Sequence, residues 1–362
     1  MNVLIVCGGT GGHLFPGMAV GEELLERKHQ VLLVVSEKEI DRVATRGITG
    51  FLVQSLPAIG WRGARPDRAL RFGWRMLKAL VRTRNIFRSF QPDVVVGMGG
   101  FSSFPPLFLA SLQQIPTCIH ESNAILGKAN RLLARYANAV ALGFDAAQQQ
   151  FSHAKVVCTG TPIRASLRAA VDRPQPEHVP WNVLVVGGSQ GARGLNRVVT
   201  EAAGLISGVK IHWDHLTGKT DEAEIRAIYA KAGLEAQVRA FSHEMEQLYA
   251  SADLIIARSG AASLAEIAEW SLPSILIPFP FAADQHQSAN ARIFFDAGAA
   301  ALREEAGCTP QWLAQEVQDI LTNVTRRKKM IEATKHLRHV DAHRKLADMI
   351  EQLSNEKGNS AS

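Results

Sequence analysis

Cysteine is scarce in this chain, long apolar runs are missing, and acidic pairs of the kind that hold metals are not found in its loops. Each shortage closes off a class of protein. The 362 residues include only four cysteines, Cys7, Cys118, Cys158 and Cys308. They stand far apart with no CxxC pair, which argues against a zinc module or a disulfide framework. The first three lie in apolar, strand-like runs suited to buried free thiols in a reducing compartment. No apolar stretch approaches the roughly 18 residues that a membrane span needs. The opening MNVLIVCGG has neither a basic leader region nor a cleavage site, so the expectation is a chain neither exported nor transmembrane. No DxD-type pair sits where a divalent ion could bridge phosphates, and no GKS or GKT follows a glycine loop, which argues against a P-loop nucleotidase. Neither a metal nor another cofactor is expected.

What remains is an ordinary globular composition, 46 % hydrophobic and 20 % charged, on a chain long enough for two domains. The net charge of +6 is unevenly placed. Residues 1–163 hold 18 Lys and Arg against 10 Asp and Glu, and the remainder 22 against 24. Short apolar runs alternate with helical periodicity. Residues 3–7, 31–36, 94–97, 117–120 and 139–143 read as strands, with helices near 16–28, 68–90, 105–113 and 127–136. At 183 the rhythm restarts: VLVVGGSQGARGLN echoes VLIVCGGTGGHLFP. Strands at 210–214, 254–257 and 274–278 follow. The expectation is an α/β chain of two Rossmann-like halves with parallel sheets, joined by the proline-rich stretch 161–180. A helix near 340–356 ends the pattern.

Three glycine-rich turns stand out: GGTGGHLFPG (8–17), GMGGFSS (97–103) and GGSQGARG (187–194). Glycine admits positive φ and close approach, so backbone N–H groups can converge on an anion at a helix start. A dinucleotide site would need G-x-G-x-x-G. Leu14 stands where the third glycine belongs, and the later loop spaces Gly188, Gly191 and Gly194 differently, so a dehydrogenase using Glu37 for a ribose is disfavoured. The turns instead suggest diphosphates. RSGAASLAEIAEW (258–270) offers Ser259 and Gly260 as another phosphate-binding helix start. Glu266, further along, either accepts two ribose hydroxyls or is a solvated helix carboxylate. Asp284, Gln285, Gln287 and Asn290 either read sugar hydroxyls or form a capping network.

These motifs, with IHESNAILGKANR, GTPIR and the stretch running to PFPFAADQHQSANA, occur in the order found in the bacterial peptidoglycan glycosyltransferases of family 28, which the chain resembles over about residues 1–350. The resemblance implies a GT-B fold, two Rossmann-like domains facing across a cleft. It implies an N-terminal acceptor and membrane domain over 1–162, with the helix at about 340–356 packing back on it, and a UDP-GlcNAc domain over 163–339. The implied reaction is inverting transfer of N-acetylglucosamine from UDP-GlcNAc to the muramyl 4-hydroxyl of lipid I, giving lipid II. Carried over by motif, the donor is contacted by Thr10, Gly11, Gly12, Asn123, Arg164, Ser189, Ser242, Ala261, Ala262, Ser263, Leu264, Ala265, Glu266 and Gln287. The acceptor diphosphate falls to Gly12, His13, Gly99 and Gly100. The chain departs from the family pattern at HESN for HEQN, GTPIR for GNPVR, GAASLAE for GALTVSE and DQHQ for DRQQ, which removes a glutamine at Ser122 and an arginine at Gln285.

The acceptor hydroxyl needs a base. His13, with an ordinary value of about 6.5, is the first candidate and Glu121 the alternative, while a purely structural His13 bonded to its loop is a third possibility. The segment 61–90 carries nine Lys and Arg against one Asp. Leu70, Trp74, Leu77 and Val81 recur at helical spacing, flanked by Arg71, Arg75, Lys78 and Arg82, a pattern suited to an anionic membrane surface. The same stripe could instead pack on the core. No nucleic-acid-binding module appears. The expectation is a peripheral enzyme on the cytoplasmic face of the inner membrane, serving cell-wall synthesis and through it cell shape and division, within a complex of wall-synthesis proteins. The alternatives are a related lipid glycosyltransferase, such as a diacylglycerol galactosyltransferase, and a non-catalytic sugar-nucleotide-binding subunit.

Overall fold

A computed structural model describes residues 1–8, 11–37, 50–57, 66–151, 155–168, 179–188 and 191–360. The chain divides into two compact units, Met1–Ala165 with Val340–Ser362, and Ser166–His339. Thr10, Ser189 and residues 169–178 of the proline-rich stretch lie outside the described residues, as does the start of the basic segment.

The first unit is built on seven strands: β1 (Asn2–Val6), β2 (Gln30–Ser36), β3 (Leu52–Leu56), β4 (Val94–Gly97), β5 (Thr117–Glu121), β6 (Ala139–Leu142) and β7 (Lys155–Cys158). They are ordered β3-β2-β1-β4-β5-β6-β7, with every pairing parallel. Side chains alternate across the sheet, so an apolar run with no polar alternation supplies both faces. Val3, Ile5 and Cys7 enter one core and Leu4 and Val6 the other. Helix α1 (Gly11–Glu26) covers the first face. On the other lie α2 (Pro66–Phe90), α3 (Phe104–Leu112) and α4 (Lys128–Leu133).

The second unit repeats the plan. Strands β8 (Trp181–Val186), β9 (Ile211–Leu216), β10 (Ala236–Arg239), β11 (Leu254–Ala257), β12 (Ser274–Leu276) and β13 (Ala300–Leu302) run in the order β10-β9-β8-β11-β12-β13. Helices α5 (Arg193–Ala203), α6 (Glu222–Lys231), α7 (Met245–Ser251), α8 (Ala261–Glu269), α9 (His286–Asp296), α10 (Pro310–Thr322) and α11 (Val324–His336) accompany them. The last helix, α12 (Ala342–Ser360), belongs to the first unit. Leu346, Ile350 and Leu353 join its core, and Arg27, just after α1, reaches Asp348 and Glu351 at 2.6 and 2.8 Å.

Two differences from the sequence reading have simple causes. Four strands, β3, β7, β10 and β13, are not signalled by apolar runs, and all four are sheet edges. An edge strand is covered less completely and needs less apolar sequence. Helix α1 begins at Gly11, not near 16, and holds Pro16 in its interior, so His13 lies in its first turn.

Candidate functional site

In an open parallel sheet, ligands bind beyond the carboxyl ends of the strands where the strand order reverses. In the first unit that point lies between β1 and β4, paired Val6 with Gly97. The loops leaving these strands meet. Ser102 Oγ donates to the Gly8 carbonyl at 3.0 Å, and Ser103 Oγ to the Gly99 carbonyl at 2.7 Å. Gly99 has φ +107°, and a Cβ there would stand 2.8 Å from Cε1 of His13. Both the backbone conformation and the room for the imidazole therefore require glycine at 99. Gly100 also borders the ring, where a Cβ would stand 3.7 Å from Cδ2 of His13.

Beyond β5 the segment 121–130 folds around one carboxylate. Glu121, 3 % exposed, accepts from the Asn123 N–H and Asn123 Nδ2 on Oε1, and from the Gly127 N–H and Asn130 Nδ2 on Oε2, all at 3.0–3.1 Å. Four neutral donors occupy both oxygens, so this carboxylate holds the loop and fixes Asn123. His120, beneath it, donates through Nε2 to the Gly160 carbonyl at 3.0 Å, which leaves Nδ1 to accept from Ser122 Oγ at 3.1 Å. Burial pushes its basicity down and keeps the ring neutral. Ser122, where the family pattern has glutamine, is thus a partner of the buried histidine. Arg164 lays its guanidinium over the ring of Phe15 at 4.2 Å, and the next N–H, of Ala165, donates to Glu22 at 3.0 Å.

In the second unit the corresponding point lies between β8 and β11, paired Val186 with Ala257. Gly191 has φ +75°, and a Cβ there would meet the Thr217 carbonyl oxygen at 2.6 Å. Asn196 of α5 donates to that same carbonyl and to Asp221. His215, pushed down to about 3 by burial, lies between Tyr229 and the Asn196 amide oxygen.

After β11, Gly260 caps α8 with no side-chain hydrogen bond, which leaves backbone N–H groups of Ala261, Ala262 and Ser263 available to an anion. Leu264 N–H begins the intrahelical ladder, donating to Gly260 at 2.9 Å. Arg258, 6 % exposed, donates to the Ile277 and Pro278 carbonyls at 2.9 Å and pairs with Glu305. It therefore locks the ends of β11 and β12 together. Ser259 Oγ donates to the Gln287 carbonyl at 2.8 Å, and Gln287 Oε1 accepts from the Phe279 N–H at 2.8 Å. Asn290 donates to the Ser259 carbonyl at 3.2 Å. The loop before α9 holds two consecutive left-handed residues, Asp284 at φ +49° and Gln285 at φ +55°, a strained conformation of the kind found at ligand sites. Glu266 accepts from the Tyr249 hydroxyl at 2.7 Å. Ser242 accepts from the Glu244 N–H at 3.0 Å and shapes the turn before α7.

The structure thus gathers Gly11, Gly12, His13, Gly99 and Gly100 at one strand switch, and Ala261–Glu266 with Gln287 at the other. Sequence reasoning did not find Arg258, Ser102 or Tyr249. Their roles are carried by contacts to residues 19, 94 and 17 positions away, which no local pattern signals. Among the described residues no group of three His, Cys, Asp or Glu is placed to hold a metal ion.

Helix α2 carries a separate surface. Ala79, Thr83, Ile86 and Phe87 are buried, while Trp74, Leu77 and Val81 are 59, 54 and 56 % exposed. Trp74, Leu77, Lys78, Val81, Arg82 and Asn85 line an open groove of about 500 Å³, with the Lys78 ammonium 5.2 Å above the Trp74 ring. The predicted apolar stripe faces outward at these positions and does not pack on the core. Nothing is described of the Leu70 side chain. No described helix is long and apolar enough to cross a membrane.

Comparison with known proteins gives one answer at each level. Residues 3–142 match the glycosyltransferase family 28 N-terminal domain and residues 182–350 the family 28 C-terminal domain. A protein of Anaeromyxobacter sp. (strain Fw109-5) is 39 % identical, covering 98 % of this chain and 93 % of its own. One of Myxococcus xanthus (strain DK1622) is 40 % identical, covering 96 and 92 %. Both are named UDP-N-acetylglucosamine--N-acetylmuramyl-(pentapeptide) pyrophosphoryl-undecaprenol N-acetylglucosamine transferase. Among solved structures, MurG of Acinetobacter baumannii is similar at 29 % identity and TM-score 0.77, over 97 % of this chain and 99 % of that one.

Proposed function

The chain belongs to glycosyltransferase family 28, and from this membership we infer that it is a hexosyltransferase moving N-acetylglucosamine from UDP-GlcNAc to the muramyl 4-hydroxyl of lipid I, producing lipid II. The observation that carries this reading is the near-complete coverage, on both sides, of relatives that bear that activity in their names.

In the mechanism we propose, the first unit binds the acceptor and the second the donor. The acceptor hydroxyl attacks C1 as UDP departs from the opposite face, through an oxocarbenium-like transition state. His13 takes the hydroxyl proton through its imidazole. It is preferred to Glu121 because four neutral donors already occupy that carboxylate. Backbone N–H groups at Gly12, Gly99 and Gly100 hold the acceptor diphosphate. On the donor side, the start of α8 at Ala261, Ala262 and Ser263, aided by Ser189, meets the negative charge that grows on the leaving diphosphate. Leu264 and Ala265 complete that turn. Glu266 accepts the ribose hydroxyls, Ser242 flanks the uracil, and Gln287 orients the sugar. Chemistry of this kind needs no bound cofactor.

The exposed stripe of α2, with Arg71, Arg75 and Lys78 beside Trp74 and Leu77, suits peripheral docking on an anionic membrane at the cytoplasmic face, where a polyprenyl acceptor resides. Such docking would put the enzyme among other wall-synthesis proteins, with consequences for cell shape and division. Donor competition tests the function. UDP-GlcNAc is expected to give a β-linked disaccharide product on a lipid I analogue, with UDP-galactose unreactive. Turnover of UDP-galactose would favour a galactosyltransferase, and UDP binding without turnover would favour a non-catalytic subunit.

A further inference from the structure

Arg258 and Ser259 stand immediately before the turn that starts α8, and the reaction as described uses neither side chain. Both reach Gln287 instead. Ser259, fully buried, donates through Oγ to the Gln287 main-chain carbonyl at 2.8 Å, and its own carbonyl accepts from Asn290, one turn along α9, at 3.2 Å. Arg258 acts through a peptide unit. Its Nη1 donates to the Pro278 carbonyl at 2.9 Å, and the N–H of that same unit, at Phe279, donates to Gln287 Oε1 at 2.8 Å. The carbonyl and N–H of a trans peptide point in opposite directions within one plane, so the guanidinium on one side fixes the direction of the bond on the other. Glu305 pairs with Arg258, and the Phe279 ring lies 5.6 Å from the guanidinium carbon, which holds the cation from two further sides. Because a backbone N–H is accepted by the amide oxygen and not by its NH₂, Nε2 of Gln287 is turned away from the peptide, and N–H donors are what this side chain offers a ligand.

From this geometry we propose that Ser259 and Arg258 are positioning residues that hold Gln287, main chain and side chain, in register with the diphosphate-binding turn, and so set selectivity for the configuration of the donor sugar. The proposal rests on the reading of Gln287 as the residue that contacts the sugar. In a sugar nucleotide the ring is bonded to the diphosphate, so phosphates lodged at residues 261–263 place each ring hydroxyl at a set distance from that turn. A reader tied to the two residues before the turn meets one ring configuration. With those ties cut, the amide shifts with its helix start to suit either epimer, and ordering it costs binding free energy each time. Inverting one hydroxyl against the fixed amide removes a hydrogen bond and leaves an N–H unpaired.

The test is the ratio of affinities for UDP-GlcNAc and its 4-epimer UDP-GalNAc, with UDP as the control, measured by calorimetry on the full chain. One mismatched hydrogen bond is worth roughly tenfold in affinity, so the unaltered protein is expected to prefer UDP-GlcNAc by about that factor or more. Ser259→Ala removes only the hydroxyl and is expected to lower the ratio about threefold or more, with UDP affinity held within about twofold. Arg258→Lys keeps the charge but loses the planar fork; it is expected to lower the ratio in the same direction and serves as the second variant should the first fold poorly. Gln287→Ala is expected to abolish the preference. If Gln287→Ala removes the preference while Ser259→Ala and Arg258→Lys leave it intact, the positioning role is overturned and the sugar reading survives. If Gln287→Ala leaves the ratio unchanged, both fall together. Loss of affinity for UDP and both sugar nucleotides by equal factors in Ser259→Ala also overturns the proposal, because damage to the fold alone would move all three.

Discussion

The two units share one strand order over their first six strands, with the same reversal between the first and fourth, yet they furnish that reversal with different chemistry. The first places an imidazole among glycine backbones and anchors its neighbouring loop on a buried carboxylate with four neutral donors. The second places a bare helix start there, braced by a buried guanidinium across β11 and β12. Fold alone therefore assigns no role to either half; the loops at the strand ends do. The division of labour proposed on this basis is proton transfer in the first unit and charge stabilisation in the second.

That comparison can be broken most sharply by kinetics. His13→Ala is expected to lower kcat by about a hundredfold or more while leaving UDP affinity, measured by calorimetry, within about twofold. A variant that instead raised the donor KM would move His13 to the donor side. Next come the braces. Arg258→Ala removes one partner of a buried ion pair and frees two strand-end carbonyls, which is expected to cost about 3–5 kcal/mol of stability. Glu121→Ala, losing four neutral donors from a buried carboxylate, is expected to cost about 2–3 kcal/mol. Chemical denaturation followed unit by unit would detect each loss in its own unit.

The units also differ in what acid does to them. His215 is held near 3 by burial, below its ordinary value of about 6.5. The unfolded chain therefore binds a proton below pH 6.5 that the folded chain refuses. The stability from this site is complete above pH 6.5 and is lost as pH falls towards 3, by at most about 1.4 kcal/mol per pH unit. His120 acts in the same sense in the first unit. His215→Asn is expected to flatten this part of the stability profile of the second unit and leave the first unit's unchanged. The smallest effect expected is at the surface of α2. Neutralising Arg75 alone should weaken sedimentation with anionic liposomes roughly fivefold, and reversing Arg71, Arg75 and Arg82 together should abolish it. Neutral liposomes serve as the control.

How far the sequence could be read follows from where each residue's energy comes from. Central strands such as β1, β4 and β11 must bury both faces and so appear as unbroken apolar runs, which made the sheets and their repetition legible. The edge strands carry patterns such as Leu52–Leu56, exposed over most of its length, and leave no comparable trace. The glycine turns were legible because only glycine tolerates the backbone at Gly99 and Gly191. The outward face of Trp74, Leu77 and Val81 was left open by the sequence, since a stripe at helical spacing looks alike whether it meets a core or solvent. Glu121 looked like a second base because no local pattern reveals that Gly127 and Asn130 return to saturate it. Arg258 and Tyr249 act across turns and between elements, and only the fold brings their partners within reach.

The most direct test of the account is transfer of labelled N-acetylglucosamine from UDP-GlcNAc to a short-chain lipid I analogue in the presence of EDTA. Backbone N–H groups at the two strand switches, as the stabilising charge, predict product at the same rate with and without the chelator. No product at all, or product that returns only on adding Mg²⁺ or Mn²⁺, would contradict it.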